Sequence, residues 1–94
     1  MVEAVWRHKD GLGDAELDGE RVVWDPQTGG LARLDQVGSL VWGCFEAPAT
    51  VDDVAADLAA AFEASPDRVR SDVAALVERL RDLGLLVEVP PAGP

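Results

Sequence analysis

Punctuation limits what this chain can fold into more tightly than its hydrophobicity does. From Asp25 to Val87 each segment opens or closes on a residue with one geometric task. Asp18-Gly19, between Ala15-Glu16-Leu17 and Arg21-Val22-Val23-Trp24, is a strong two-residue hairpin signal. Asp25-Pro26-Gln27-Thr28-Gly29-Gly30 then supplies a proline for the first turn position and glycines for positive φ. Residues 21–25 and 30–34 are therefore expected to be antiparallel neighbours. A three-stranded meander follows, with either residues 15–17 or residues 2–8 as its first strand. Residues 9–13 read as flexible loop.

Helical signals come next. Asp35 can cap a helix over residues 36 to about 45, with Val37, Leu40, Val41 and Phe45 at helical spacing. Glu46-Ala47-Pro48-Ala49 ends it. Thr50-Val51-Asp52-Asp53 is a capping-box variant opening a second helix, with Val54, Leu58, Ala61 and Phe62 on one face. Glu63-Ala64 makes the turn. Ser65-Pro66 opens a third with a cap and a proline at the first helical position. Its stripe of Val69, Val73, Leu76, Val77, Leu80 and Leu83 is spaced by threes and fours. Gly84 is placed to end it in the left-handed conformation, and Leu85-Leu86-Val87 returns as a short strand or wing. The fold class is α+β: an N-terminal three-stranded antiparallel sheet followed by a three-helix bundle, the order of a winged helix-turn-helix. One domain spans residues 1–89, with residues 1–13 the least defined part, and residues 90–94 form a disordered tail.

Charge then narrows the work such a body can do. The chain has 94 residues, eighteen acidic against eight basic, for a formal net charge of −10. The third helix sets Asp67, Asp72, Glu78 and Asp82 against Arg68, Arg70, Arg79 and Arg81, and the second carries Asp52, Asp53, Asp57 and Glu63 with no basic residue. Duplex binding needs cations to neutralise phosphates, so a nucleic-acid partner is not expected, and a winged-helix DNA regulator is the lesser alternative. A chain this short buries roughly 60–65% of its unfolded surface, enough for one core but not for a deep catalytic cleft as well. His8 and Cys44, the only histidine and cysteine, fall in different elements, and no zinc cluster or phosphate loop is present. Asp52-Asp53 and the group Glu16, Asp18, Glu20 lack the loop pattern calcium requires. No enzyme activity, cofactor or metal is expected. The lone cysteine excludes an internal disulfide, no apolar run reaches the roughly 20 residues of a membrane span, and the N-terminus lacks a secretory pattern, so a cytoplasmic protein without a membrane partner is expected.

What remains is the edge of a short sheet beside the last helix. Such an edge displays unpaired N–H and C=O groups that template pairing with another chain. A peptide added there takes affinity from backbone bonds and specificity from side-chain pockets.

The order of these pieces resembles the PqqD-like family of recognition elements for ribosomally synthesised, post-translationally modified peptides (RiPPs). The resemblance rests on Val23-Trp24-Asp25-Pro26, the glycine turn, Leu34-Asp35-Gln36-Val37-Gly38, Val41-Trp42, Thr50-Val51-Asp52-Asp53-Val54 and Leu80-Arg81-Asp82-Leu83-Gly84-Leu85-Leu86. Asparagine is common in that family where Asp35 stands, and either residue caps a helix. The resemblance implies a non-catalytic domain that binds the leader segment of a precursor peptide on its third strand, against its third helix. The leader is thereby presented in trans to a modifying enzyme such as a radical-SAM protein, a peptidase or a cyclase. The receiving strand that the resemblance implies is Gly30, Leu31, Ala32, Arg33 and Leu34; alternation then turns Ala32 and Leu34 inward and Leu31 and Arg33 outward. Arg68, Val69, Arg70, Val73 and Leu76 supply the helical wall. Plain core is the default for each apolar member, with half burial beside a guest the functional alternative. A solvated charge is the default for Arg68, Arg70 and Arg79, with acidic peptide residues as their partners the alternative. A monomer or weak homodimer is expected, and a structural subunit of such an enzyme is the remaining alternative.

Overall fold

The computed structural model describes residues 3–90. In chain order the elements are β1 (Val5–His8), β2 (Gly13–Leu17), β3 (Glu20–Trp24), β4 (Leu31–Leu34), α1 (Gln36–Gly43), β5 (Ala49–Thr50), α2 (Val51–Phe62), α3 (Pro66–Asp82) and β6 (Leu86–Glu88). They form an α+β fold with two three-stranded antiparallel sheets, ordered β2-β3-β4 and β5-β1-β6. The hairpin opens as its sequence requires: Asp18 and Gly19 take φ of 53° and 80°, and Leu17 closes against Glu20. The meander's first strand is Gly13–Leu17. Residues 5–8 also form a strand, but one that pairs with Thr50 and Ala49 on one side and with residues 86–88 on the other. Val2 of the expected strand lies outside the described residues. The returning segment after α3 is thus the third strand of a second sheet, in addition to the one sheet expected.

Residues 9–13 are less free than a flexible loop. The Lys9 N–H donates to the Leu85 carbonyl at 3.1 Å, its ammonium reaches the Asp25 carboxylate at 2.5 Å, and Gly13 already belongs to β2. Asp25 is buried, and its other oxygen accepts from the Gln27 N–H at 2.9 Å, so the carboxylate shapes the turn that launches β4. The Lys9 hydrogen bond, helped by the Gln27 N–H, holds its pKa below the ordinary aspartate value. A depressed carboxylate contributes stability above its unfolded pKa, near 3.9, and loses it as pH falls through the folded value. Asp25→Asn is therefore expected to lower the urea midpoint at pH 7, with the gap from the native chain closing below about pH 4. A gap that persists unchanged at pH 3 would remove the charge from the account.

Caps set the helix ends. The Asp35 side chain accepts from the Gly38 N–H at 2.7 Å, and Thr50 Oγ1 accepts from the Asp53 N–H at 3.0 Å. The Glu3 carboxylate accepts from the Asp52 N–H at 3.1 Å, satisfying another orphan donor of α2 from ahead of β1. Ser65 stands at the N-cap of α3, but its side chain makes no capping bond there, and Pro66 alone marks the start. At the other end Gly84 takes φ of 77°, with Leu85 N–H to Leu80 carbonyl and Gly84 N–H to Arg81 carbonyl both at 2.9 Å. This paired closure sends Leu85 and Leu86 into the core. The core comprises Phe45, Leu34, Leu80, Leu85, Leu86, Val23 and Val73, with Val41, Trp42 and Val54 around them. The His8 ring stacks on Trp42 at 3.7 Å, and its Nε2 lies 2.7 Å from the Trp42 carbonyl, fastening β1 to α1. Of the expected tail, Pro90 is exposed and outside any element, and residues 91–94 lie outside the described residues.

Candidate functional site

Strand β4 is hydrogen-bonded to β3 alone, so its far side is open. Which groups face that side follows from the ladder. In an antiparallel pair, alternate residues direct both their N–H and C=O toward the partner. The Asp25 N–H donates to the Gly30 carbonyl at 2.8 Å, which places Ala32 and Leu34 toward β3 and Leu31 and Arg33 toward the open side. The two-residue hairpin gives the same answer, since Leu17–Glu20 must be its hydrogen-bonded closing pair. The side chains separate as the alternation requires, with Ala32 and Leu34 buried and Leu31 and Arg33 exposed.

Beside this edge lies a groove of about 680 Å³ between β4, α1, the end of α2 and the length of α3. Arg33, Leu34, Val69, Val73 and Leu76 line it. Val69 and Leu76 are half buried, whereas Val73 is fully in the core and forms floor more than wall. Leu31 lines a neighbouring slot with Ala75, Glu78, Asp82 and Leu83, and Arg79 borders both. Gly30 immediately precedes β4, and a Cβ added to it would sit 2.4 Å from the Leu83 carbonyl oxygen. That contact brings the start of β4 against the end of α3.

Arg68 and Arg70 do not line the groove. Successive helical residues are about 100° apart, so the positions flanking Val69 turn to either side of the wall. Arg70 pairs with Asp52 of α2, each holding the other charged, and Arg68 is exposed. Arg79 is the arginine that arrives, its Nη2 at 3.4 Å from the Arg33 carbonyl on the open edge. Arg33 itself pairs with Glu20 at 2.9 Å.

Three apolar residues that periodicity placed on helix faces rim the groove: Val37 at 63% exposure, Leu40 at 46% and Phe62 at 57%. Ala61 of the same expected face is also exposed. A signal was present for α1. Its apolar residues Val37, Leu40, Val41 and Trp42 cover more than one stripe, and a helix apolar on two sides must use the second for something other than its own core. Large exposed apolar side chains gathered at one place mark an interaction site more reliably than any one alone.

Catalytic chemistry finds little support. Burial, with the Asp57 charge behind it, pushes the Cys44 thiol up, which disfavours the thiolate. Among the described residues no group of three or more His, Cys, Asp or Glu is placed to hold a metal ion, and no helix is long and apolar enough to cross a membrane.

A family profile described as "Coenzyme PQQ synthesis protein D (PqqD)" matches residues 20–86, the span from β3 to the first residue of β6. The chain belongs to the PqqD family. No curated protein sequence matches it. Among solved structures it is similar to TbiB1 in complex with the TbiA(beta) leader peptide, at TM-score 0.76 and 25% identity, over 90% of this chain and 99% of that one. It also shares its fold with the PqqD truncation of Methylobacterium extorquens PqqCD, described as a functional and stand-alone RiPP recognition element, at TM-score 0.72, 20% identity and 88% of each chain. Strand β1 lies ahead of the PqqD match, although most of this chain superposes on both structures.

Proposed function

We propose that this PqqD-family chain is a non-catalytic recognition domain that takes the leader segment of a ribosomally synthesised precursor peptide as an added strand on β4. It would present that leader in trans to a maturation enzyme, a radical-SAM protein, a peptidase or a cyclase, by raising the local concentration of substrate. One observation carries the reading. The unpaired backbone of Leu31 and Arg33 borders a groove rimmed by exposed Val37, Leu40 and Phe62, so ladder bonds and apolar pockets stand side by side. The likeness to TbiB1, solved with a leader peptide, supports it. We read residues 1–89 as one such domain, with α2 and α3 as the helix-turn-helix and the β1–β6 ribbon as the wing, working in the cytosol as a monomer or weak homodimer. The carboxylates Asp52, Asp53, Asp57 and Glu63 on and after α2 oppose a DNA role for that body.

Ordering a disordered leader costs about 2–5 kcal/mol, and a small interface then leaves a Kd of about 1 μM. The test is a titration with RiPP precursor leader peptides, following the fluorescence of Trp24, which lies opposite Leu31 in the ladder. Saturable binding near that affinity is expected, and Phe62→Ala is expected to weaken it about tenfold with little change in the unfolding midpoint. Binding that ignores Phe62→Ala would put the guest elsewhere.

A further inference from the structure

We infer that Arg79 is a removable guard on the β4 edge that makes strand capture depend on a carboxylate in the guest peptide. The inference rests on the strand-addition reading and adds the chemistry of the guest. Eighteen carboxylates surround eight cations in this chain, and six of those cations, Arg7, Lys9, Arg21, Arg33, Arg70 and Arg81, have a carboxylate within ion-pair distance. Among the described residues Arg79 and Arg68 have none, and of these two only Arg79 lines the groove, although the acidic Asp72, Glu78 and Asp82 also border its two cavities. Its guanidinium lies instead over the Arg33 carbonyl, one of the groups an added strand would need.

The 3.4 Å contact is long for a hydrogen bond and readily surrendered. While it holds, it covers part of an edge that would otherwise pair with any extended chain. A guest N–H taking the Arg33 carbonyl displaces the guanidinium, which stays tethered to α3 above the incoming backbone. A planar fork of donors freed at that place is best met by a carboxylate, which it can bind through two bonds. The matching guest has an Asp or Glu directed at α3 close to the residue paired with Arg33, with apolar side chains directed into the groove. A guest lacking that carboxylate would displace the guard without replacing its contact.

The experiment selects displayed random dodecapeptides on the whole chain and on Arg79→Met and Arg79→Glu. Arg79 is exposed and both replacements suit a helix, so folding is retained and is checked by circular dichroism. The native chain is expected to enrich Asp or Glu about tenfold at one position at a fixed offset from the apolar positions, a charge-assisted pair's share of affinity. Arg79→Met should erase that enrichment, and Arg79→Glu should turn it to Lys or Arg. Acidic enrichment that survives Arg79→Met, or none on the native chain, overturns the assignment. The selected peptides are then measured on Arg33→Pro. Loss of binding there without acidic enrichment sinks only the role of Arg79. Unchanged binding on Arg33→Pro sinks strand addition itself, and a native chain that selects no peptide sinks both.

Discussion

Replacing Arg33 by proline is expected to reduce leader binding at least thirtyfold, about 2 kcal/mol or more, while the domain stays folded. The Arg33 N–H faces the open edge, so removing it takes a bond from the guest and none from the β3–β4 ladder. The pyrrolidine ring also fills the space a neighbouring strand would occupy. Proline is tolerated on an edge strand when its missing N–H points away from the sheet, and the restriction it places on Ala32 is to the extended conformation already present. Proline at Ala32 would be a poor choice, because that residue faces β3 and the ladder itself would break. Arg33→Ala is the control: it removes the exposed pair with Glu20 but keeps the N–H, and should cost the guest little. Calorimetric titration of the three chains decides it. Equal loss in Arg33→Ala and Arg33→Pro would shift the role from backbone to side chain.

Phe45→Ala is expected to destabilise the domain by about 3–5 kcal/mol and to lower the thermal midpoint by more than about 12 °C. Phe45 is fully buried just beyond α1, in a core shared with Leu34 of β4 and with Leu80, Leu85 and Leu86 at and after the end of α3. A small domain has only about 5–15 kcal/mol in total, so the variant would approach unfolding at physiological temperature. The chain has two phenylalanines, and the contrast is diagnostic: Phe45→Ala should act on stability and Phe62→Ala on binding. A midpoint shift for Phe45→Ala no larger than that for Phe62→Ala would contradict this packing.

Local grammar was legible in the sequence because the physics behind it is local. Asp18-Gly19, Asp35, Thr50 and Gly84 each act through φ or through a hydrogen bond to a near neighbour, and each acts as expected. The alternation of β4 was legible for the same reason. Strand β1 was not. Its partners lie more than forty positions away, at Ala49–Thr50 and Leu86–Glu88, and no local signal specifies such pairing. Periodicity placed Val37, Leu40 and Phe62 on apolar faces without telling whether a neighbour covers them, and none does. Helix phase did not separate Arg79 from Arg68 and Arg70, because all three lie about 80–100° round α3 from Val69; what brings Arg79 to the Arg33 carbonyl is how α3 packs beside β4. The Arg70–Asp52 pair depends on how α2 packs on α3, which is a tertiary fact.

The tight approach of Gly30 to the Leu83 carbonyl has a kinetic corollary. With the start of β4 held against the end of α3 there, and only Leu31 and Arg33 of β4 offering outward amides, a guest added as proposed would form just a brief ladder. Brevity of that kind favours rapid turnover: at a micromolar constant and an ordinary association rate of about 10⁶ M⁻¹s⁻¹, a captive would dwell for about one second. Under the proposed function, a leader held this way would leave unaided, and no separate unloading step would be required of whatever receives it.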